Sequence, residues 1–172
     1  MAGQGRGHHD REDLAGEHRL GDAGQAAFAV LFGAVWGVDS FVLHWTTMLD
    51  TYVPDWLRLG LGALLLVVAA ILAVISMRTV FGEVRDPPAV IRTGLYARVR
   101  HPMYLSELLL YAGLVVLSLS LASIVVLVGA LLFLRMICRY EERLLVERFG
   151  DAYRDYMRDV PMWIPRLRRK SP

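Results

Sequence analysis

The chain has 172 residues, a formal net charge of +2 and 55% hydrophobic residues, with one cysteine, Cys138. A single cysteine excludes an intrachain disulfide and a thiolate zinc cluster. The apolar residues come in long blocks, which excludes an ordinary soluble composition and places the chain, as one domain, in the membrane class. Residues 1–25 are rich in Gly, His and charge and too poor in apolar side chains to pack, so they read as a disordered tail. They carry no evident cleavable signal. His8 and His9 in that tail are better read as part of a mobile segment than as metal ligands.

Four apolar blocks follow, at about residues 26–45, 57–77, 103–117 and 121–138. The first two approach the ~20 residues that span a bilayer core, while the last two are shorter and lie close together. The expected fold is an all-α integral membrane protein with about four transmembrane helices. It has a tight hairpin between the last two, and residues 26–172 form the membrane domain. Asp39 and His44 lie near the end of the first block. Asp39 reads either as a costly functional group or as part of a polar seam between helices, and His44 as an interfacial residue beside Trp45. Tyr52, Pro54, Asp55 and Trp56 read as an interfacial turn, and Gly60 and Gly62 suit close helix packing. Arginines crowd the start, the second connection (Arg78, Arg85, Arg92, Arg98, Arg100) and the tail. The other two connections are nearly free of them. By the positive-inside rule both termini and the second connection are cytoplasmic.

The second connection is broken by Asp86-Pro87-Pro88 and Thr93-Gly94, and Pro102 suits the first turn of the third helix. Arg100 and His101 then sit at a helix start, where backbone N–H groups lack helical partners. Tyr104, Glu107, Leu108 and Tyr111 share a face of that helix. Glu107, a carboxylate one turn into a span, either snorkels, pairs with an arginine or faces a polar cavity. The fourth helix is expected to continue through Glu141-Glu142 to Phe149 and to stop at Gly150. On local pattern alone, Glu141-Glu142 reads as a solvated face paired with Arg139 and Arg143. A short cytosolic helix follows from Asp151, with Tyr153, Tyr156 and Met157 on one side. The basic run Arg166–Lys170 suits an anionic lipid surface. Cys138 reads as a buried small hydrophobe. No metal site, dinucleotide loop or nucleic-acid groove is expected.

The series Gly94-x-Tyr96, Arg100-His101-Pro102-x-Tyr104, Glu141-Glu142-x-x-Leu145, Phe149-Gly150-x-x-Tyr153-x-x-Tyr156 and Val160-Pro161-x-x-Ile164-Pro165 resembles the isoprenylcysteine carboxyl methyltransferase family, which is related to membrane phospholipid methyltransferases. The resemblance covers residues 93–165. It implies an S-adenosylmethionine-dependent membrane enzyme with a cytosol-facing cofactor pocket closed by the C-terminal segment, and a lipophilic substrate entering from the bilayer. It implies cofactor contacts from Tyr96, Arg100, His101, Pro102, Tyr104, Glu141, Tyr153 and Tyr156. Ser106 stands where the family usually has glycine, and Glu107 where a large apolar or aromatic residue is usual, which leaves the substrate open.

Methyl transfer from a sulfonium is an in-line displacement, so positioning and water exclusion dominate. A carboxylate acceptor needs a cation to hold it, for which Arg100 is the candidate. An amine must lose a proton, for which Glu107 or Glu142 is a candidate base. A prenylcysteine-type carboxylate is the leading acceptor, with a lipid amine or a small thiol as alternatives. A non-catalytic lipid-binding scaffold that keeps the same fold is the competing reading.

Overall fold

The structure, a computed structural model, describes residues 19–82 and 88–165. The expectations for His8, His9, Arg85, Asp86, Pro87 and the Arg166–Lys170 run lie outside those residues. All regular structure among the described residues is helical: α1 Arg19–Val38, α2 Asp55–Phe81, α3 Pro102–Ser118, α4 Leu121–Phe149 and α5 Asp151–Asp159. Three stretches are long and apolar enough to cross a membrane, Ala23–Leu43, Asp55–Phe81 and Leu121–Phe149; α3, at 17 residues, is shorter. The protein is an all-α integral membrane protein.

Helix α1 begins at Arg19, so residues 19–25 are helical rather than part of a disordered tail. A packing contact explains the extra turns. A Cβ placed on Gly24 would lie 2.1 Å from the Phe133 ring, so α1 already lies close against α4 at that position. At its other end α1 widens into a π turn, Asp39–Leu43, and stops at His44, whose φ is 54°. Asp39 is buried there and accepts from the Thr46 amide (3.1 Å), the Thr46 hydroxyl (2.5 Å) and the Ser120 hydroxyl (2.6 Å). Ser120 in turn caps α4 by accepting from Ser123 N (3.1 Å). Asp39 therefore occupies a polar seam, tying the end of α1 to the α3–α4 turn with a satisfied buried network.

Helix α3 is antiparallel to α2 and packs most extensively against it, while α1 lies against α4. The close approach of α2 to α3 centres on Gly62 and Gly113. A Cβ at Gly113 would sit 2.9 Å from Leu66 Cδ2 and 3.3 Å from Gly62 O. Gly60 has open space around it and takes no part, because it lies on the other side of α2. Such small-residue crossings let backbones approach and gain dispersion contact where lipid offers no hydrophobic drive. Gly113→Val is expected to destabilise the protein by about 1–3 kcal/mol through overpacking. Unfolding in mixed micelles measures this, and an unchanged midpoint would refute the tight crossing.

The helical core between α1, α3 and α4 is Phe32, Tyr111, Val115 and Ala130, with Trp36 and Leu114 packed on it. The Phe32 and Tyr111 rings stack at 4.4 Å between centroids. Large apolar side chains such as Leu64, Val67 and Ile71 of α2 and Val125, Leu132 and Met136 of α4 face outward. That is the pattern expected of helices solvated by lipid. Cys138 is fully buried.

Candidate active site

Three local features bring the polar clusters together. Gly94, at φ 59°, opens a 3-10 turn (Gly94–Ala97) that leads the chain into α3. Pro102 occupies the first turn of α3, where its missing N–H costs no helical bond. Helix α4 continues past the apolar block to Phe149, which carries Glu141 and Glu142 alongside the start of α3. Gly150, at φ 56°, then turns the chain into α5. Such a φ favours glycine, which has no Cβ to clash.

Helix α5 is held down by Tyr153, Tyr156 and Val160, which pack with Val90, Leu145, Val146, Phe149 and Met157. The segment after α5 returns along the lead-in to α3. Arg100 N donates to Pro161 O (2.9 Å) and His101 N to Met162 O (3.2 Å). These bonds satisfy backbone donors that the helix itself leaves unpaired.

The Arg100 side chain fastens the same strap. Its Nη1 donates to Met157 O (2.9 Å) and Val160 O (2.5 Å), and its Nε donates to Glu142 Oε1 (2.7 Å). The same carboxylate oxygen lies 3.1 Å from His101 Nε2. His101 Nδ1 faces Glu141 Oε2 at 3.7 Å, and the Tyr104 hydroxyl donates to Glu141 Oε1. The His101 and Tyr104 rings stack at 5.8 Å. Glu142 is only 5% exposed. It is therefore not a solvated face paired with Arg139 or Arg143. Its position on α4 points inward, and its partners lie 41 and 42 residues earlier in the chain.

The other candidates divide. Tyr156 donates to the Tyr96 carbonyl (2.7 Å), so these two residues lock α5 onto the 3-10 turn. Arg92 lies over the Tyr156 ring, 5.6 Å from its centroid, and bonds the Ala152 carbonyl. Burial pushes the phenol of Tyr153 up, with the Glu142 carboxylate adding to the effect. Burial raises Tyr156 as well, although Arg100 and Arg92 oppose it. Both phenols stay protonated, and Tyr156 acts as a neutral donor. Ser106 is buried, and its hydroxyl turns back to Met103 O (2.6 Å), so it is spent within α3. Glu107, one turn below Tyr104, accepts from the Tyr111 hydroxyl (2.7 Å) and has no cation beside it among the described residues.

Trp163 was not singled out by the sequence. It fell on a variable position of the Val160–Pro165 motif, and an aromatic residue inside a proline-bounded strap was the available signal. Its indole N–H is buried and faces the Cys138 sulfur without forming a full hydrogen bond among the described residues. Sulfur is a weak acceptor, so this buried donor is incompletely satisfied.

The sequence matches, over residues 57–152, the family described as phospholipid methyltransferase. That match takes in more than half of the 172 residues. The chain belongs to the phospholipid methyltransferase family. The matched stretch runs from α2 through α4, so it contains Arg100, His101, Glu141 and Glu142 and ends just before Tyr153. The chain is similar to methanethiol S-methyltransferase of Pseudomonas deceptionensis, 39% identical over 82 residues that make up 44% of this chain and 28% of the relative. It is similar to methanethiol S-methyltransferase 2 of Bradyrhizobium diazoefficiens, 34% identical over 85 residues, 45% of this chain and 32% of the relative. It is also similar to the nickel-cobalt-cadmium resistance protein NccN of Alcaligenes xylosoxydans xylosoxydans, 35% identical over 85 residues, 48% of this chain and 39% of the relative. The aligned regions thus span 28% to 39% of the length of these curated relatives.

Proposed function

We propose that this family member is an S-adenosylmethionine-dependent membrane methyltransferase whose acceptor is a small lipophilic thiol. The observation that carries the choice of acceptor is Glu107, a half-buried carboxylate whose described partner is the neutral Tyr111 hydroxyl. An acceptor carboxylate beside it would meet a like charge. A thiol instead has a proton to give, and Glu107 is the base that takes it. The two methanethiol S-methyltransferase relatives support the same choice.

The residues at the strap fit the donor. Glu141 offers a carboxylate to an ammonium, Trp163 offers an N–H held only weakly by the Cys138 sulfur to an acceptor atom, and the His101–Tyr104 stack offers aromatic faces to a sulfonium. S-adenosylmethionine, when bound, supplies the electrophilic methyl that a thiolate sulfur takes as the sulfonium C–S bond breaks. Glu107 holds the proton released from the thiol, and Tyr111 fixes the orientation of Glu107. Glu142 keeps Arg100 and His101 in place, while Arg100 ties down the strap that excludes water. Arg100 is thus a positioning residue. Its Nε and Nη1 are occupied by Glu142 and two backbone carbonyls, which speaks against its holding an acceptor carboxylate.

Both termini are assigned to the cytoplasmic side by the arginine distribution, which would place this site at the inner membrane surface. Calorimetric titration of the purified full chain with S-adenosylmethionine tests the donor, and His101→Ala and Glu141→Ala are expected to weaken binding about tenfold or more. A labelled-methyl screen across methanethiol and longer alkyl thiols, short prenylcysteine analogues and lipid amines tests the acceptor. Transfer to the prenylcysteine carboxylate with none to thiols would overturn the thiol reading while leaving the donor reading in place.

A further inference from the structure

Helix α4 carries Arg135, Arg139 and Arg143 at successive i,i+4 positions, so they form a stripe about 12 Å long along the helix. All three are exposed. None has an ion-pair or hydrogen-bond partner among the described residues. Glu141 and Glu142 lie between them in the chain but are engaged by His101, Tyr104 and Arg100. Glu147, one turn beyond Arg143, is the exposed acid of α4.

The stripe begins inside the lipid-facing band. The exposed large apolar residues of α4 before Tyr140 are Leu121, Ile124, Val125, Val128, Leu131, Leu132 and Met136, on a helix long and apolar enough to cross a membrane. Arg135 comes before the last of them, and its neighbours one turn back are Leu131 and Leu132. By helical rise it lies about 10 Å deeper along α4 than Glu142. Helical side chains also lean toward the helix N-terminus, which for Arg135 is the direction of the bilayer centre. A guanidinium there is costly unless its charge is met. The ordinary relief is to snorkel along the helix toward water. Here that route leads to Arg139, and from Arg139 to Arg143, and like charges at i,i+4 repel. An anion placed between Arg135 and Arg139 relieves both the depth of the charge and the repulsion.

We infer that this stripe is a binding site for the head group of an anionic phospholipid of the surrounding bilayer. Its phosphate oxygens bridge the Arg135 and Arg139 guanidinium groups, and Arg143 adds positive charge on the water side. The acyl chains run along exposed Val128, Leu131 and Leu132. The face itself chooses the head group. A zwitterionic lipid would bring an ammonium to three arginines with no free carboxylate before Glu147, whereas phosphatidylglycerol brings neutral hydroxyls. The depth of Arg135 among lipid-facing leucines places the source of the ligand in the bilayer rather than in solution. None of the three arginines bonds a residue of the candidate active site, so this lipid is distinct from the methyl acceptor.

Native mass spectrometry of the delipidated full chain in detergent tests this with dioleoylphosphatidylglycerol and dioleoylphosphatidylethanolamine. The wild type is expected to hold phosphatidylglycerol about tenfold more tightly. Arg135→Gln and Arg139→Gln are each expected to weaken it about fivefold, the worth of one cation toward an anionic lipid surface, and to leave phosphatidylethanolamine unchanged. Arg154→Gln controls for net charge, because Arg154 is an exposed cation paired with Asp151 on α5, and it should leave phosphatidylglycerol affinity unchanged. Thermal melting gives a second readout: phosphatidylglycerol is expected to raise the midpoint of the wild type but not that of the variant carrying both Arg135→Gln and Arg139→Gln. Equal affinity of the wild type for the two lipids would overturn the site. So would a loss in Arg154→Gln as large as in Arg135→Gln, or a double variant that phosphatidylglycerol stabilises as it does the wild type.

Discussion

Glu142→Ala is expected to abolish detectable S-adenosylmethionine binding and to destabilise the protein in detergent by about 3–5 kcal/mol, the cost of leaving a buried charge without its partner. One carboxylate oxygen serves two neighbours, Arg100 Nε at 2.7 Å and His101 Nε2 at 3.1 Å. The Arg100 and Glu142 side chains are only 10% and 6% exposed, so water cannot replace the lost acceptor at little cost. Arg100 keeps its bonds to Met157 O and Val160 O, so the strap loosens rather than detaches. Glu142→Gln retains an acceptor without the charge and should fall between the wild type and Glu142→Ala in both measurements. Calorimetric titration with S-adenosylmethionine and thermal melting followed by intrinsic fluorescence provide the two readouts. If Glu142→Ala melts and binds like the wild type, the buried carboxylate is not the hub described above.

Glu107→Gln should leave S-adenosylmethionine affinity within a factor of about two and lower the methyl-transfer rate to a thiol at neutral pH by about 10²–10³-fold, the range of a lost general base. The substitution keeps the side-chain length and an acceptor for the Tyr111 hydroxyl, so packing against Phe32 is undisturbed. The pH profile separates a base from a structural residue. Without the base, the variant depends on thiolate already present in solution. Its rate then rises about tenfold per pH unit below the thiol pKa and approaches the wild type in alkaline solution. A flat ratio between variant and wild type across pH would assign Glu107 to packing alone. Unimpaired transfer at neutral pH would remove it from the chemistry.

The helix starts and stops were legible in the sequence because they rest on local backbone chemistry. Pro102 opens α3, Gly150 closes α4, and Tyr153 with Tyr156 marks the buried side of α5. The two polar clusters were legible as well, since titratable groups interrupt long apolar runs. The burial of Glu142 was not legible from its surroundings. Arg139 and Arg143 beside it mimic a solvated helix face, and its real partners come from the start of α3. The α2–α3 crossing was half legible: Gly62 stood out, but Gly113 has meaning only opposite it. Asp39 admits two readings in the sequence, and its ties to Thr46 and Ser120 show the structural one. Trp163 depends on the strap meeting α4, which no local window reveals.

The strap has a consequence for the order of assembly. The apolar helices can enter the bilayer as soon as each is synthesised, but the Arg100 guanidinium waits for carbonyls 57 and 60 residues further on. Insertion and completion of the candidate site are then separate events, with the second delayed until α5 has docked. During that interval Arg100 and the lead-in amides of α3 remain open to water at the membrane surface. A chain halted before Val160 would be expected to insert normally and be retained in the membrane, yet bind no methyl donor.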